Sequence, residues 1–346
     1  MGPNLRALAA AGALLAVSGA DAAFAQKPGG ILRMYHWDSP PSMSIHEEVT
    51  IATDLPMMGV FNNLVLFDQH VVRNSLQSIV PELATSWSWS EDGMQLTFRL
   101  RQGVRWHDGQ PFTARDVECT WNLLLGRTAG KLRTNPRKSW YQNVESVSAD
   151  GDYVASFHLK RQQPALLALL ASGLSPVYPC HVPPHEMRQH PIGTGPFKFV
   201  AFKPNESITV ARNPDYWKPG RPYLDGIEYT IIPNRSTAQL AFIAGKFDMT
   251  FPTRVTVPLL RDVRSQMPQA ICELQTSNVA RSLIVNHTAA PFDNPDIRKA
   301  MALALDRKAF IDILSEGEDR IGGLMLPPPR RGLGVASRDP RHLAGL

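Results

Sequence analysis

The densest cluster of metal-ligating residue types in this 346-residue chain is Cys180-His181 with His185 and His190. A His-x3-His spacing puts two imidazoles on one face of a helix, which suits Zn or Ni. Pro183-Pro184 sits inside that spacing, and proline breaks the helix it requires. An exported metal-binding protein or metalloenzyme using His181, His185 and His190 is one reading, with an obstacle in its own sequence. A second group, Tyr35-His36-Trp37-Asp38, joins aromatic surface to a carboxylate able to pair with a cation such as an amino terminus. Asn286-His287 ends a later apolar run that Arg281 opens, and a guanidinium there could grip a carboxylate through a two-pronged fork. Trp140-Tyr141 offers further aromatic surface. No H-E-x-x-H, G-x-S-x-G or Walker A motif occurs, so hydrolase and ATPase readings have no motif behind them.

The elements that must position these residues follow from periodicity. Residues 29–35 read as an opening strand, so Tyr35 to Asp38 lie at a strand end. A helix is expected over about residues 47–60 and a strand over 63–67. Met94, Leu96, Phe98 and Leu100 alternate with polar residues, the pattern of a half-buried strand. Asp92-Gly93 and Asp108-Gly109 are turn signals, and Thr113 with Asp116 has capping-box spacing before a helix at about residues 114–124. A strand pair around residues 144–159 turns at Asp150-Gly151, and residues 165–170 suggest a buried helix. Phe197, Phe199 and Ala201 alternate with Lys198, Val200 and Phe202 in a further strand. Strands at 208–211 and 227–232, a helix at about 236–244 closed by Gly245, and a strand at 247–249 give an α/β rhythm. Residues 281–286 read as a strand. Asn294 and Pro295 start a helix that Ile297, Ala300, Met301, Ala304 and Leu305 should bury on one face.

Composition narrows the classes. Apolar residues at 43% and charged ones at 19% support a core and argue against disorder. The net charge of +5 is concentrated in residues 330–346, which hold four arginines against one aspartate. It is therefore no sign of nucleic-acid binding. Arg6, the apolar stretch Ala7 to Val17 and Ala23-Phe24-Ala25 read as a secretory signal peptide cleaved after Ala25. No later stretch approaches the roughly 18 apolar residues of a membrane span. Cys119, Cys180 and Cys272 match no metal spacing. Isolated small thiols are the plain reading; an oxidising compartment would allow one bridge, with every pairing open.

Four stretches resemble the family 5 extracellular solute-binding proteins of bacterial ABC importers, the dipeptide, oligopeptide and nickel receptors. They are residues 81–117, Gly193-Thr194-Gly195-Pro196-Phe197, Asn213-Pro214-Asp215-Tyr216-Trp217 with Pro222-Tyr223-Leu224-Asp225, and Asn286 through Pro291-Phe292-Asp293 to Ala304-Leu305-Asp306-Arg307. The resemblance implies an α/β, periplasmic-binding-protein-like two-lobed fold of type II with an extra inserted subdomain. Lobe I would take residues 26–69 and 190–275, the β-rich insert 70–189, and an incomplete lobe II residues 280–329. Residues 330–346 would form an aberrant basic tail after a truncation near Arg330. The implied function is the periplasmic substrate-binding component of an importer. It would bind a peptide or peptide-like solute without cofactor, catalysis or nucleic acid, as a monomer that hands the solute to permease subunits. A non-functional remnant is the third reading. Tyr35, His36, Trp37, Asp38, Asn286 and His287 are the expected ligand-binding residues, bordering one cleft between the lobes.

Overall fold

Leu96, Phe98 and Leu100 are buried as their alternation requires, and around them the first of two four-stranded sheets is built. The computed structural model describes residues 28–71, 74–251, 254–273, 282–319 and 321. The signal-like segment, Arg281 and the basic tail lie outside the described residues. The strands are β1 (Ile31–His36), β2 (Val65–Phe67), β3 (Ile79–Pro81), β4 (Ala84–Trp89), β5 (Gln95–Leu100), β6 (Val144–Ala149), β7 (Val154–Leu159), β8 (Phe197–Lys203), β9 (Ser207–Arg212) and β10 (Gly226–Ile231). The α-helices are α1 (Ile51–Met57), α2 (Ala114–Leu124), α3 (Leu166–Ala171), α4 (Arg235–Ile243), α5 (Val257–Gln266), α6 (Pro295–Ala304) and α7 (Arg307–Ser315).

One sheet, ordered β4-β5-β7-β6, is antiparallel and comes from residues 84–159 alone. Helix α2 covers it. Thr113 and Asp116 complete the capping box, and Val117, Trp121 and Leu124 pass fully into the core with Phe98 and Phe157. Trp121 meets Phe157 edge-on at 4.9 Å, one of the two preferred aromatic geometries. The other sheet, ordered β1-β10-β9-β8, draws its first strand from residues 31–36 and the rest from beyond residue 196. Strand β1 pairs with β10 in parallel, while β10-β9 and β9-β8 are antiparallel.

The two sheets are joined at Gly193-Thr194-Gly195. A Cβ on Gly193 would sit 1.9 Å from the Val60 carbonyl oxygen, and one on Gly195 would sit 2.5 Å from the Val60 carbonyl carbon. Only glycine permits that approach. His107, from the turn after β5, accepts from the Gly193 N–H on Nδ1 at 3.2 Å and donates from Nε2 to the Gly195 carbonyl at 3.0 Å. Burial lowers the His107 pKa to about 4, so the ring stays neutral, as this donor–acceptor role demands.

Ion pairs to three buried carboxylates fix the loop between β1 and α1 and the start of α1. Arg188 grips the Glu47 carboxylate at 2.7 and 2.9 Å, Arg133 meets Glu48 at 2.6 Å, and Arg137 lies 3.4 Å from Asp54. The Glu47 and Glu48 N–H groups both turn back to the Ser44 carbonyl. The helix expected from residue 47 therefore begins only at Ile51, because its first residues are held by partners from distant sequence.

Other expectations shift for physical reasons. A bulge between Phe199 and Ala201 in β8 exposes Val200 and lets both Phe199 and Phe202 pack on one cluster, so simple alternation fails there. Residues 247–249 form no strand but a single parallel bridge, Met249 to Met34. Residues 282–286 are not a strand. Helix α6 forms as capped, yet none of its residues is buried, so the face expected to be buried has no cover among the described residues. Cys119 and Cys180 are bridged and Cys272 is free, which replaces the reading of three isolated thiols. Among the described residues, no helix is long and apolar enough to cross a membrane.

Candidate functional site

Three segments leave one sheet in the same direction. β1 and β10 are parallel, and the Met34–Met249 bridge is parallel too. Their ends therefore lie on one edge of the sheet, and the chain beyond each reaches that edge. In open α/β sheets this carboxyl edge is where ligands bind. The segments supply Tyr35 and His36 at the end of β1 with Trp37 and Asp38 after it, Ile232 after β10, whose N–H bonds to the His36 carbonyl at 2.7 Å, and Phe251 with Arg254 after Met249.

The four sequence candidates at this edge divide into two kinds. Tyr35 and His36 are core residues, 2% and 0% exposed. Tyr35 stacks edge-on against Phe247, and His36 against Phe251 at 5.0 Å. His36 Nδ1–H donates to the Asp38 carbonyl at 2.7 Å, and burial pushes the imidazole pKa down, so it is neutral. Trp37 and Asp38 reach the surface: Trp37 is half-buried and Asp38 exposed. The Asp38 carboxylate accepts only from the Ser39 N–H, at 2.9 Å, and carries no ion pair among the described residues.

Arg254 completes the edge and is absent from the sequence candidates. Its guanidinium lies over the Trp37 ring, 5.1 Å from the centroid. Burial raises the Tyr35 hydroxyl pKa, and a backbone hydrogen bond at Phe251 and then the charges of Arg254 and Arg235 oppose that rise. One buried polar atom here has no partner, Trp37 Nε1. The available sequence signal was position: Arg254 follows an apolar strand-like segment just as Trp37 follows β1. Without the Met34–Met249 pairing, nothing linked the two.

Asn286 and His287 are exposed, and Asn286 closes a local turn by accepting from the Thr288 N–H and hydroxyl. Among the described residues no contact joins them to the Trp37 edge. Trp140 is half-buried beside Arg137, and Tyr141 is buried with its hydroxyl 2.7 Å from Ser175 Oγ, so both serve the β4–β7 core.

The metal reading meets a covalent obstacle. Cys180 is in the disulfide, His181 is 2.6 Å from Asp108, and His185 and His190 both lean on Glu186. Among the described residues, no three His, Cys, Asp or Glu side chains are grouped to hold a metal ion.

Comparison with known proteins agrees with this geometry. The profile of the bacterial extracellular solute-binding proteins, family 5 (middle), matches residues 78–332. The chain is 29% identical over 291 residues to heme-binding protein A of Haemophilus influenzae, covering 78% of this chain and 51% of that protein. It is 26% identical over 304 residues to di/tripeptide-binding protein 1 of Pseudomonas aeruginosa, covering 81% and 55%. The chain thus spans about half the length of these curated relatives. Its fold superposes on the Helicobacter pylori periplasmic binding protein DppA, solved with the peptide STSA, at a TM-score of 0.72 and 24% identity, over 88% of this chain and 62% of that one. The oligopeptide-binding protein AppA of Bacillus subtilis, solved with a nonapeptide, gives 0.70 and 25%, over 86% and 57%. These neighbours share the two-lobed periplasmic-binding-protein fold.

Proposed function

We propose, from the premise that this chain belongs to the bacterial extracellular solute-binding proteins of family 5, that it serves as the receptor of an ABC importer for a peptide-like solute. The observation that carries the reading is the shared strand edge. It gathers an aromatic wall (Trp37), an exposed carboxylate (Asp38) and a stacked cation (Arg254), with the buried Trp37 indole N–H left to be satisfied. Relatives that bind di- and tripeptides, and neighbours solved with peptides bound, support this class of solute. The family binds solutes and is not a family of catalysts.

Mechanistically, the edge on the β1 sheet forms one wall of the site and a second lobe the other. Solute bridging the two walls would shift an open–closed equilibrium that the permease reads. Lobe I corresponds to residues 26–69 with 190–275, the insert to 70–189, and lobe II begins near residue 280. Asn286 and His287 would border the site from lobe II. The disulfide, which persists in oxidising compartments, and the signal-like N-terminus support a periplasmic location. Asp38 would pair with the peptide amino terminus. In calorimetric titrations with Ala-Ala-Ala, Asp38→Asn is expected to weaken binding by roughly tenfold. Unchanged affinity removes Asp38 from the site. Mass spectrometry of small molecules co-purified with the protein tests the reading itself; recovery of no peptide-like solute counts against it.

A further inference from the structure

We infer that the Trp37–Arg254 edge takes the carboxylate of an anionic solute group. This deepens the receptor reading above and rests on it for the identity of the edge as a solute wall.

The guanidinium of Arg254 is half-buried and lies on the indole face of Trp37. Among the described residues it has no ion pair and no side-chain hydrogen bond. The cation–π contact occupies the flat face of the guanidinium and leaves its N–H rim open. That rim is a rigid fork matched to two carboxylate oxygens. Asp248, next to the Met249 bridge, is committed to the side chain and the backbone N–H of Arg33.

The second observation concerns donors. Trp37 Nε1–H is buried and has no acceptor. An indole nitrogen can only donate, so only an acceptor can satisfy it. A carboxylate supplies acceptor lone pairs for both the indole N–H and the guanidinium rim. An ammonium supplies none and would be repelled by Arg254. Arg235, exposed in the first turn of α4, adds a second positive charge that acts on the same Tyr35 hydroxyl. A neutral solute would leave Arg254 without a counter-charge as the site closed and lost water. Asp38, exposed and without an ion pair among the described residues, suits the opposite end of a zwitterion.

The test uses the 346-residue chain and two sets of probes. In nitrogen-15 spectra of tryptophan-labelled protein, one indole N–H resonance will be missing from Trp37→Phe and is thereby assigned. Succinate is expected to move that resonance and succinamide to leave it, and Arg254→Gln to weaken the succinate response by roughly tenfold. Calorimetry then compares Ala-Ala-Ala, its C-terminal amide, and Ala-Glu-Ala amide. Tighter binding of the free acid than of its amide assigns the carboxylate to a peptide terminus. Recovery of affinity by Ala-Glu-Ala amide assigns it to an acidic side chain. No succinate response, an equal response to succinamide, or an unchanged response in Arg254→Gln overturns the inference, even if all three peptides bind and the receptor reading stands. A specific succinate response with no peptide binding supports the carboxylate site and removes the peptide from the receptor reading.

Discussion

Helices α2 and α6 obey the same local rules and meet different surroundings. Each has a side-chain cap: Thr113 with Asp116 in α2, and Asn294 accepting from the Asp296 N–H in α6. Each has an apolar stripe. In α2 the stripe enters the β4–β7 core, where Val117, Trp121 and Leu124 are fully buried. In α6 no residue is buried, and in α7 Phe310 remains 55% and Ile313 78% exposed. Caps and periodicity therefore suffice to specify a helix. Burial requires a second surface, which the described residues provide for α2 and not for α6. The same holds for charge: Arg137 and Asp54 form a buried pair, whereas the Lys308–Asp312 pair of α7 is solvent-exposed.

The largest test of this contrast is truncation on each side. Trp121→Ala is expected to cost about 3–5 kcal/mol in urea unfolding, and Phe310→Ala about 0.5 kcal/mol or less. Comparable losses would mean that α7 is covered in solution. Next comes the bridge that ties α2 to the segment before Pro183. Replacing Cys119 and Cys180 with serine frees a link across 61 residues and should cost about 2–4 kcal/mol. An unchanged midpoint would show that the hydrogen bonds of Asp116 and Thr120 to residues 178–180 hold the junction alone.

The last contrast is electrostatic. Burial raises the Asp54 pKa to about 6, and burial next to Arg137 lowers His46 to about 3. The raised Asp54 pKa favours the fold below about pH 4, a contribution lost as pH rises through about 6. His46 acts oppositely: its contribution is full above pH 6.5 and lost as pH falls toward 3. The two offset each other between pH 6 and 4. Asp54→Asn removes one side, so its stability should fall more steeply over that range, by on the order of 1 kcal/mol. Parallel pH curves for the two proteins would show that Asp54 does not gain a proton in the folded state.

What the sequence disclosed follows the reach of each interaction. Helix α2 appears at the residues expected because Thr113 and Asp116 are three positions apart and act locally. The β6–β7 pair and the carboxyl end of β1 were legible for the same reason. The late start of α1 was not, since Glu47 and Glu48 are held by Arg133 and Arg188, which lie 85 and 141 positions from them. The Cys119–Cys180 pairing depends on three-dimensional proximity and has no local trace. At the candidate site, Trp37 and Asp38 were visible as residues after a strand. That Tyr35 and His36 would turn inward, and that Arg254 would cover Trp37, needed the parallel run of three segments far apart in sequence.

That parallel run also sets an order of events. Strand β1 emerges early, yet its hydrogen-bonded neighbour begins at Gly226, so nearly two hundred residues must be made before the first can be seated. The β4–β7 sheet draws all its strands from residues 84–159 and its core from no later than Val177, so it can assemble in the meantime. Local pairings form fast and distant ones wait for loop closure. A nascent chain of this kind would carry a finished middle while its leading end stayed unclaimed, and the solute wall, built on that end, would be among the last surfaces to take shape.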